Sequence, residues 1–191
     1  RNFSSGSVVF DFVNGNSNVL AYQFQISRNS VDQPFFARTG SDISFSVKAT
    51  PPLSLWFPNG RDFRSLPPEQ RYQWAEFHKW KFTTQWFNKL TRSKSGHNLV
   101  LMMRAGFGFL GRYNDAVGNS PFERFYLGGA ALTGFQLDGR EVVGLRGYDD
   151  FSLSPNTGNF VVNKYTAELR FPVSLNPSAT IYTLAFAQAG K

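Results

Sequence analysis

Few side chains in this sequence are equipped for bond-making chemistry. His78 and His97 are the two histidines, and imidazole is the side chain that titrates near neutrality when unperturbed. Neither has a neighbouring nucleophile or a partner at metal-ligand spacing, so His78, between Phe77 and Lys79-Trp80, suits an interfacial role rather than a catalytic one. The chain has no cysteine, which excludes a disulfide scaffold and cysteine-based metal or redox sites. Gly106-Phe107-Gly108-Phe109 is not a phosphate-binding loop, because it lies inside a strand pattern rather than ahead of a helix. Glycines there mark a place where another segment approaches the strand closely. No catalytic residue, cofactor or metal is expected, and the chain does not read as an enzyme. What remains is recognition by charge and by ordered loops. Phe125-Tyr126-Leu127-Gly128-Gly129 and Leu145-Arg146-Gly147-Tyr148 combine aromatic anchors with glycines that permit close backbone approach. Glu168, with Lys164 and Arg170 two strand positions or more away, is the carboxylate of the next segment.

The elements that must position these residues are strands. Apolar and polar residues alternate, the period of a strand with two unlike faces. Leu20, Tyr22, Phe24 and Ile26 oppose Gln23, Gln25 and Ser27, and Ile43, Phe45 and Val47 oppose Asp42, Ser44, Ser46 and Lys48. Trp80, Phe82, Thr84 and Trp86 alternate with Lys79, Lys81, Thr83 and Gln85. Leu101, Met103, Ala105, Phe107 and Phe109 face away from Arg104, Gly106 and Gly108. Tyr165, Ala167, Leu169 and Phe171 alternate with Lys164, Thr166, Glu168 and Arg170, a more apolar strand follows over Ala179–Gly190, and a short one is expected around Val8–Val13. A half-buried soluble sheet also alternates. Length separates the two cases: several segments reach 10 residues or more, whereas soluble strands cluster near about 5–6 and tilted membrane strands near about 9–11. Trp80, Trp86, Phe109 and Phe171 sit near strand ends like interfacial girdles.

Composition points the same way. Hydrophobic residues are 41% of the chain, yet no run approaches the roughly 18 apolar residues of a spanning helix. A helical membrane protein is thereby excluded. The 21 Phe, 7 Tyr and 4 Trp exceed what a soluble core needs and imply an aromatic outer surface. A net charge of +7 calls for an anionic partner, either nucleic acid or an anionic lipid surface. Joins at Asn88–Asn98 and Ser174–Ser178 are short, whereas Pro51–Trp74 and 112–158 are long surface loops. The chain starts at Arg1 and ends at Lys191 within a strand, and reads as an excerpt. The expected fold is all-β: residues 1–191 as part of one antiparallel transmembrane β-barrel domain, about seven strands of a larger barrel of roughly 16.

The order of Phe125-Tyr126-Leu127-Gly128-Gly129, then Leu145-Arg146-Gly147-Tyr148, then two strands resembles the BamA and two-partner-secretion transporter superfamily, over roughly Asp32 to Lys191. Thr39-Gly40-Ser41 and Lys48-Ala49-Thr50-Pro51-Pro52 are similar to Bacteroidetes-like members, and the whole is similar to a C-terminal barrel fragment of a BamA-type assembly factor. The resemblance implies a long extracellular loop folded into the lumen, with Arg146 at its tip contacting Glu168 and Gln188 on the next two strands. Gln188 stands where the family commonly has Asp, so any ion pair would rest on Glu168, whose carboxylate suits a guanidinium fork. The alternative is that Arg146 is an exposed loop residue and Glu168 an ordinary lumen charge paired with Lys164 or Arg170. Phe125, Tyr126, Gly128 and Gly129 would pack the loop.

The function so implied is insertion and folding of β-barrel proteins in the bacterial outer membrane, without cofactor or covalent chemistry. Partners would be outer-membrane lipids and lipopolysaccharide, unfolded client proteins and accessory lipoproteins, with soluble N-terminal repeats elsewhere in the polypeptide. A two-partner secretion transporter shares the loop motif. A porin-like barrel shares only the alternation, and a soluble basic protein binding nucleic acid would have to bury Trp80, Phe82 and Trp86 in a core. Basic loops also suit an anionic outer leaflet, so nucleic acid is not the expected partner.

Overall fold

A computed structural model describes residues 2–3, 15–57, 60, 62–92, 97–129, 140–176 and 178–191. The expected strand around Val8–Val13 lies outside the described residues. In chain order the elements are β1 (Asn2–Phe3), β2 (Gly15–Asn16), β3 (Tyr22–Asn29), β4 (Gly40–Ala49), α1 (Leu53–Trp56), α2 (Pro68–Arg71), β5 (His78–Lys89), β6 (Val100–Gly111), β7 (Phe125–Leu127), β8 (Glu141–Val143), β9 (Val161–Asn176) and β10 (Ala179–Gly190). A six-stranded sheet runs in the order β10-β9-β6-β5-β4-β3. It is an antiparallel partial barrel wall, not a closed barrel, with β3 and β10 at its described edges. No helix among the described residues is long and apolar enough to cross a membrane.

Burial in this sheet is inverted relative to a soluble protein, in which ionised side chains are almost never fully buried. Lys79 is 3% exposed and the adjacent Trp80 42%. Glu168 and Thr166 are buried, whereas Tyr22, Phe24, Trp86, Phe107, Tyr165 and Phe171 are exposed. β5 and β9 therefore expose Trp80, Trp86, Tyr165 and Phe171 while burying Lys79 and Glu168, the arrangement the alternation predicts for a barrel in lipid, whereas every residue of β3 is exposed.

Three features depart from the sequence expectation. The Pro51–Trp74 connection is not plain loop but holds one-turn helices, α2 starting on Pro68 at its first helical position, where the missing N–H costs nothing. The turn predicted over Ser174–Ser178 is tighter, because β9 continues through Asn176. The long loop contains a parallel pair, with Phe125 opposite Glu141 and Leu127 opposite Val143.

The chain divides into two compact units. One takes in residues 1–24, 46–80 and 108–162, and its core joins Phe77, Leu110 and Val162 of the strands to Phe122, Phe125, Leu127 and Leu145 of the long loop. The other takes in residues 25–45, 81–107 and 163–191, and its smaller core of Phe36, Ala37, Phe87, Val100 and Met102 is partly built by the β3–β4 turn. That turn is tied by Asp32, whose carboxylate accepts from the backbone N–H groups of Arg38 at 2.8 Å and Thr39 at 3.1 Å and from the Arg38 guanidinium at 3.2 Å.

Candidate functional site

The described parts of the long loop, 112–129 and 140–158, are held by backbone pairing that their sequence permits. Phe125 N donates to Asn159 O at 2.9 Å and Asn159 N returns to Phe125 O at 2.7 Å, which brings the two ends of the loop together. Arg124 reinforces this, its Nε donating to Ser120 O at 3.0 Å and its Nη1 to Thr157 O at 2.8 Å. Phe125, Tyr126, Gly128 and Gly129, the expected packing residues, are all buried. Gly128 N donates to Val143 O and Gly129 N to Tyr148 O, each at 3.1 Å, and Gly129 bridges Leu145. The double glycine and the tetrapeptide are therefore one structural piece. Leu145 plugs into the core while Arg146, Gly147 and Tyr148 form an exposed turn, with Gly147 at φ 91°, where other residues are strained.

The loop seats on the strand face that carries the lysines. Gly108 of β6 makes this possible: a Cβ there would lie 2.6 Å from Phe125 Cζ and 2.9 Å from Val162 Cγ1. Close approach was the expected use of the strand glycines, and Gly108 fulfils it. Gly106 does not, since its nearest such neighbour is Thr83 Cγ2 at 3.8 Å.

Charge completes the seat. Lys79 of β5 directs Nζ to Glu123 O at 2.8 Å, Glu123 Oε2 at 3.4 Å and Glu141 Oε2 at 2.7 Å, and lies 4.5 Å from the centre of the Phe125 ring. Lys48 of β4 meets Glu123 Oε1 at 2.6 Å. Glu123 thus bridges two strands, and its own backbone is held at φ 66°, a left-handed conformation unusual for glutamate. Cations come from the wall and carboxylates from the loop. Leaving Lys79 buried without them would cost several kcal/mol, on the order expected for an unpaired buried charge.

Glu168, the expected partner of the loop tip, accepts from Arg170 of its own strand, Nε at 2.9 Å and Nη2 at 2.6 Å. Arg170 also lies over Phe87 and Tyr182, at 5.6 and 5.8 Å. Gln188 Nε2 donates to Thr166 Oγ1 at 3.4 Å. A β-bulge between Ile181 and Tyr182 puts Tyr182 opposite Pro172, and this one-residue shift places Gln188 opposite Thr166, on the Glu168 face. Pro172 has no N–H to offer the ladder, which explains a bulge at that point. Arg146 belongs to the other unit.

Sequence reasoning named the Lys79 face but not its carboxylate partners. The available signal was Glu123 itself, a carboxylate within Phe122-Glu123-Arg124-Phe125-Tyr126, where burial demands a cation.

No curated protein matches the chain. A model of the Omp85 superfamily domain matches residues 4–191, well beyond the Asp32–Lys191 range over which the motifs are legible. That superfamily covers outer-membrane β-barrels of both the BamA-type insertase and the two-partner secretion kind. With aromatics outward, charges inward, and a glycine-seated loop bearing Leu145-Arg146-Gly147-Tyr148, the chain belongs to the Omp85 superfamily.

Proposed function

We propose that this chain is barrel wall and inner loop of a BamA-type insertase, which inserts and folds β-barrel proteins in the bacterial outer membrane. The observation that carries the choice is the depth of the loop's anchorage. Phe122, Phe125, Leu127 and Leu145 share a core with Phe77, Leu110 and Val162, and Lys79 is neutralised by loop carboxylates. An exporter threading a large protein past this wall would have to extract those side chains and re-expose a buried lysine. An insertase needs a rigid wall and keeps the loop as a brace.

In this proposal the exposed tip completes the brace, Arg146 reaching Glu168 and Gln188. The outward aromatics face lipid and lipopolysaccharide, the clients are unfolded outer-membrane proteins, and accessory lipoproteins assist. The test is complementation of a strain depleted of its insertase with the full-length protein carrying Arg146→Ala. Folded client barrels, scored by heat-modifiable mobility, should fall severalfold while the variant itself is still inserted. Normal client levels together with lost secretion of one large exoprotein would instead identify an exporter.

A further inference from the structure

The connection between β4 and β5 forms a second concavity, closed on one side by Val117 of the long loop, whose Asn114 Nδ2 donates to Ser54 Oγ at 3.2 Å. It is an open cleft of about 310 Å³, at the lower end of the range for small-molecule sites. Two aromatic side chains that line it are left in solvent: Phe57 is 62% and Trp74 46% exposed. Its lining also includes a fixed polar pair, because Ser54 N and Ser54 Oγ each donate to Glu76 at 2.6 Å, both residues being buried. Arg71 lines it too. Its Nη2 donates to Arg64 O and Leu66 O at 2.9 Å, but its Nε is buried without an acceptor among the described residues. Gln73 adds an exposed amide.

Each ligand class meets this lining differently. A purely apolar ligand would cover Arg71 and Glu76 without replacing their water hydrogen bonds, a cost of about 1–3 kcal/mol per group. An anion would face the Glu76 carboxylate and a cation the Arg71 guanidinium, since the two charges cancel. A neutral ring with an apolar C–H face and an edge of hydroxyls satisfies all of them. The aromatics take the face, and the carboxylate, guanidinium and amide take the hydroxyls, each Glu76 oxygen retaining a free lone pair beyond its bond to Ser54. We propose that the cleft binds a neutral hexopyranose residue of a glycan, stacked on Trp74 and Phe57 and hydrogen-bonded to Glu76, Arg71 and Gln73. This proposal does not depend on whether the protein is an insertase or an exporter, because every residue it assigns to the ligand comes from the β4–β5 connection.

The experiment uses the whole protein in a detergent with no sugar headgroup, so that no micelle glycoside competes. Binding is followed by saturation-transfer NMR with methyl glucoside, methyl mannoside and maltotriose, and with glucuronate and a Trp-containing tripeptide as comparators. Saturable changes with the neutral sugars are expected, about tenfold weaker in Trp74→Ala and about threefold weaker in Gln73→Ala, a substitution that leaves the Ser54–Glu76 pair intact. Retained heat-modifiable mobility shows that each variant is folded. Absence of saturation up to about 100 mM sugar, tighter binding of glucuronate or the peptide, or unchanged affinity in Trp74→Ala would overturn the proposal.

Discussion

Both units of this protein keep ion pairs inward, yet the pairs do different work. In the loop-bearing unit Lys48 and Lys79 reach carboxylates that lie 75, 44 and, for Glu141, 62 positions away in sequence. In the other unit Glu168 and Arg170 are two residues apart on one strand. A pair between neighbours on a strand holds two rotamers. A pair between a strand and a distant loop holds tertiary structure, and its loss leaves a cation stranded behind a packed core. Inversion of burial is common to the two units, whereas dependence on the loop belongs to one.

The sharpest way to break this contrast is Glu123→Ala. It strips Lys48 of a 2.6 Å partner and Lys79 of a 3.4 Å one, and a loss of about 2–3 kcal/mol is expected for removing charged hydrogen-bond partners while Lys79 keeps Glu141 at 2.7 Å. Limited trypsin digestion should then open the loop body at Arg124 and Arg140. Gly108→Leu attacks the same seat without touching a charge. Driving a side chain into Phe125 and Val162 should cost about 1–3 kcal/mol and lower the temperature at which heat-modifiable mobility is lost.

Glu168→Gln is the contrasting case. The amide still accepts from Arg170, whose guanidinium keeps its two aromatic faces, so about 1 kcal/mol should be lost. Trypsin should gain access after Arg146 alone, in keeping with the proposed tip contact, and equal cleavage of the loop body would abolish the distinction between the clusters. The smallest effect is expected at Asp32 in the β3–β4 turn. Burial alone would raise its carboxyl pKa, but the N–H groups of Arg38 and Thr39 and the Arg38 guanidinium more than offset this and hold it below the usual 3.8. With the folded value depressed, its contribution is complete above pH 3.8 and disappears as pH falls through the lower folded value. Asp32→Asn should therefore cost less than about 1 kcal/mol at neutral pH, the pair being partly solvated, and its melting temperature should converge on that of the parent in stronger acid.

Much of this was legible beforehand for a simple reason. A strand with lipid on one side and water on the other writes its environment into every second residue, so the bounds of β5 and β10 and the outward placing of Trp80, Trp86 and Phe107 follow from alternation. The long-loop motifs were legible because glycine pairs and buried aromatics have few other uses. Phe87, Val100 and Met102 were harder to place: they occupy the inward phase and form an apolar cluster near the β3–β4 turn, because Phe36 of that turn packs back onto the strands. The helices α1 and α2 escaped for want of length, since one turn shows no periodicity.

The sequence by itself determined the strands, their two faces and the pieces of the loop, because these depend on each residue's own polarity and its nearest neighbours. Only the tertiary structure decided that Glu123 would join Lys48 to Lys79, that Gly108 would receive Phe125, and that a bulge beside Pro172 would turn Gln188 to the Glu168 face. Those outcomes depend on register and on contacts between residues far apart in the chain, where one residue of slip reverses a side chain and no local pattern records which partner arrives.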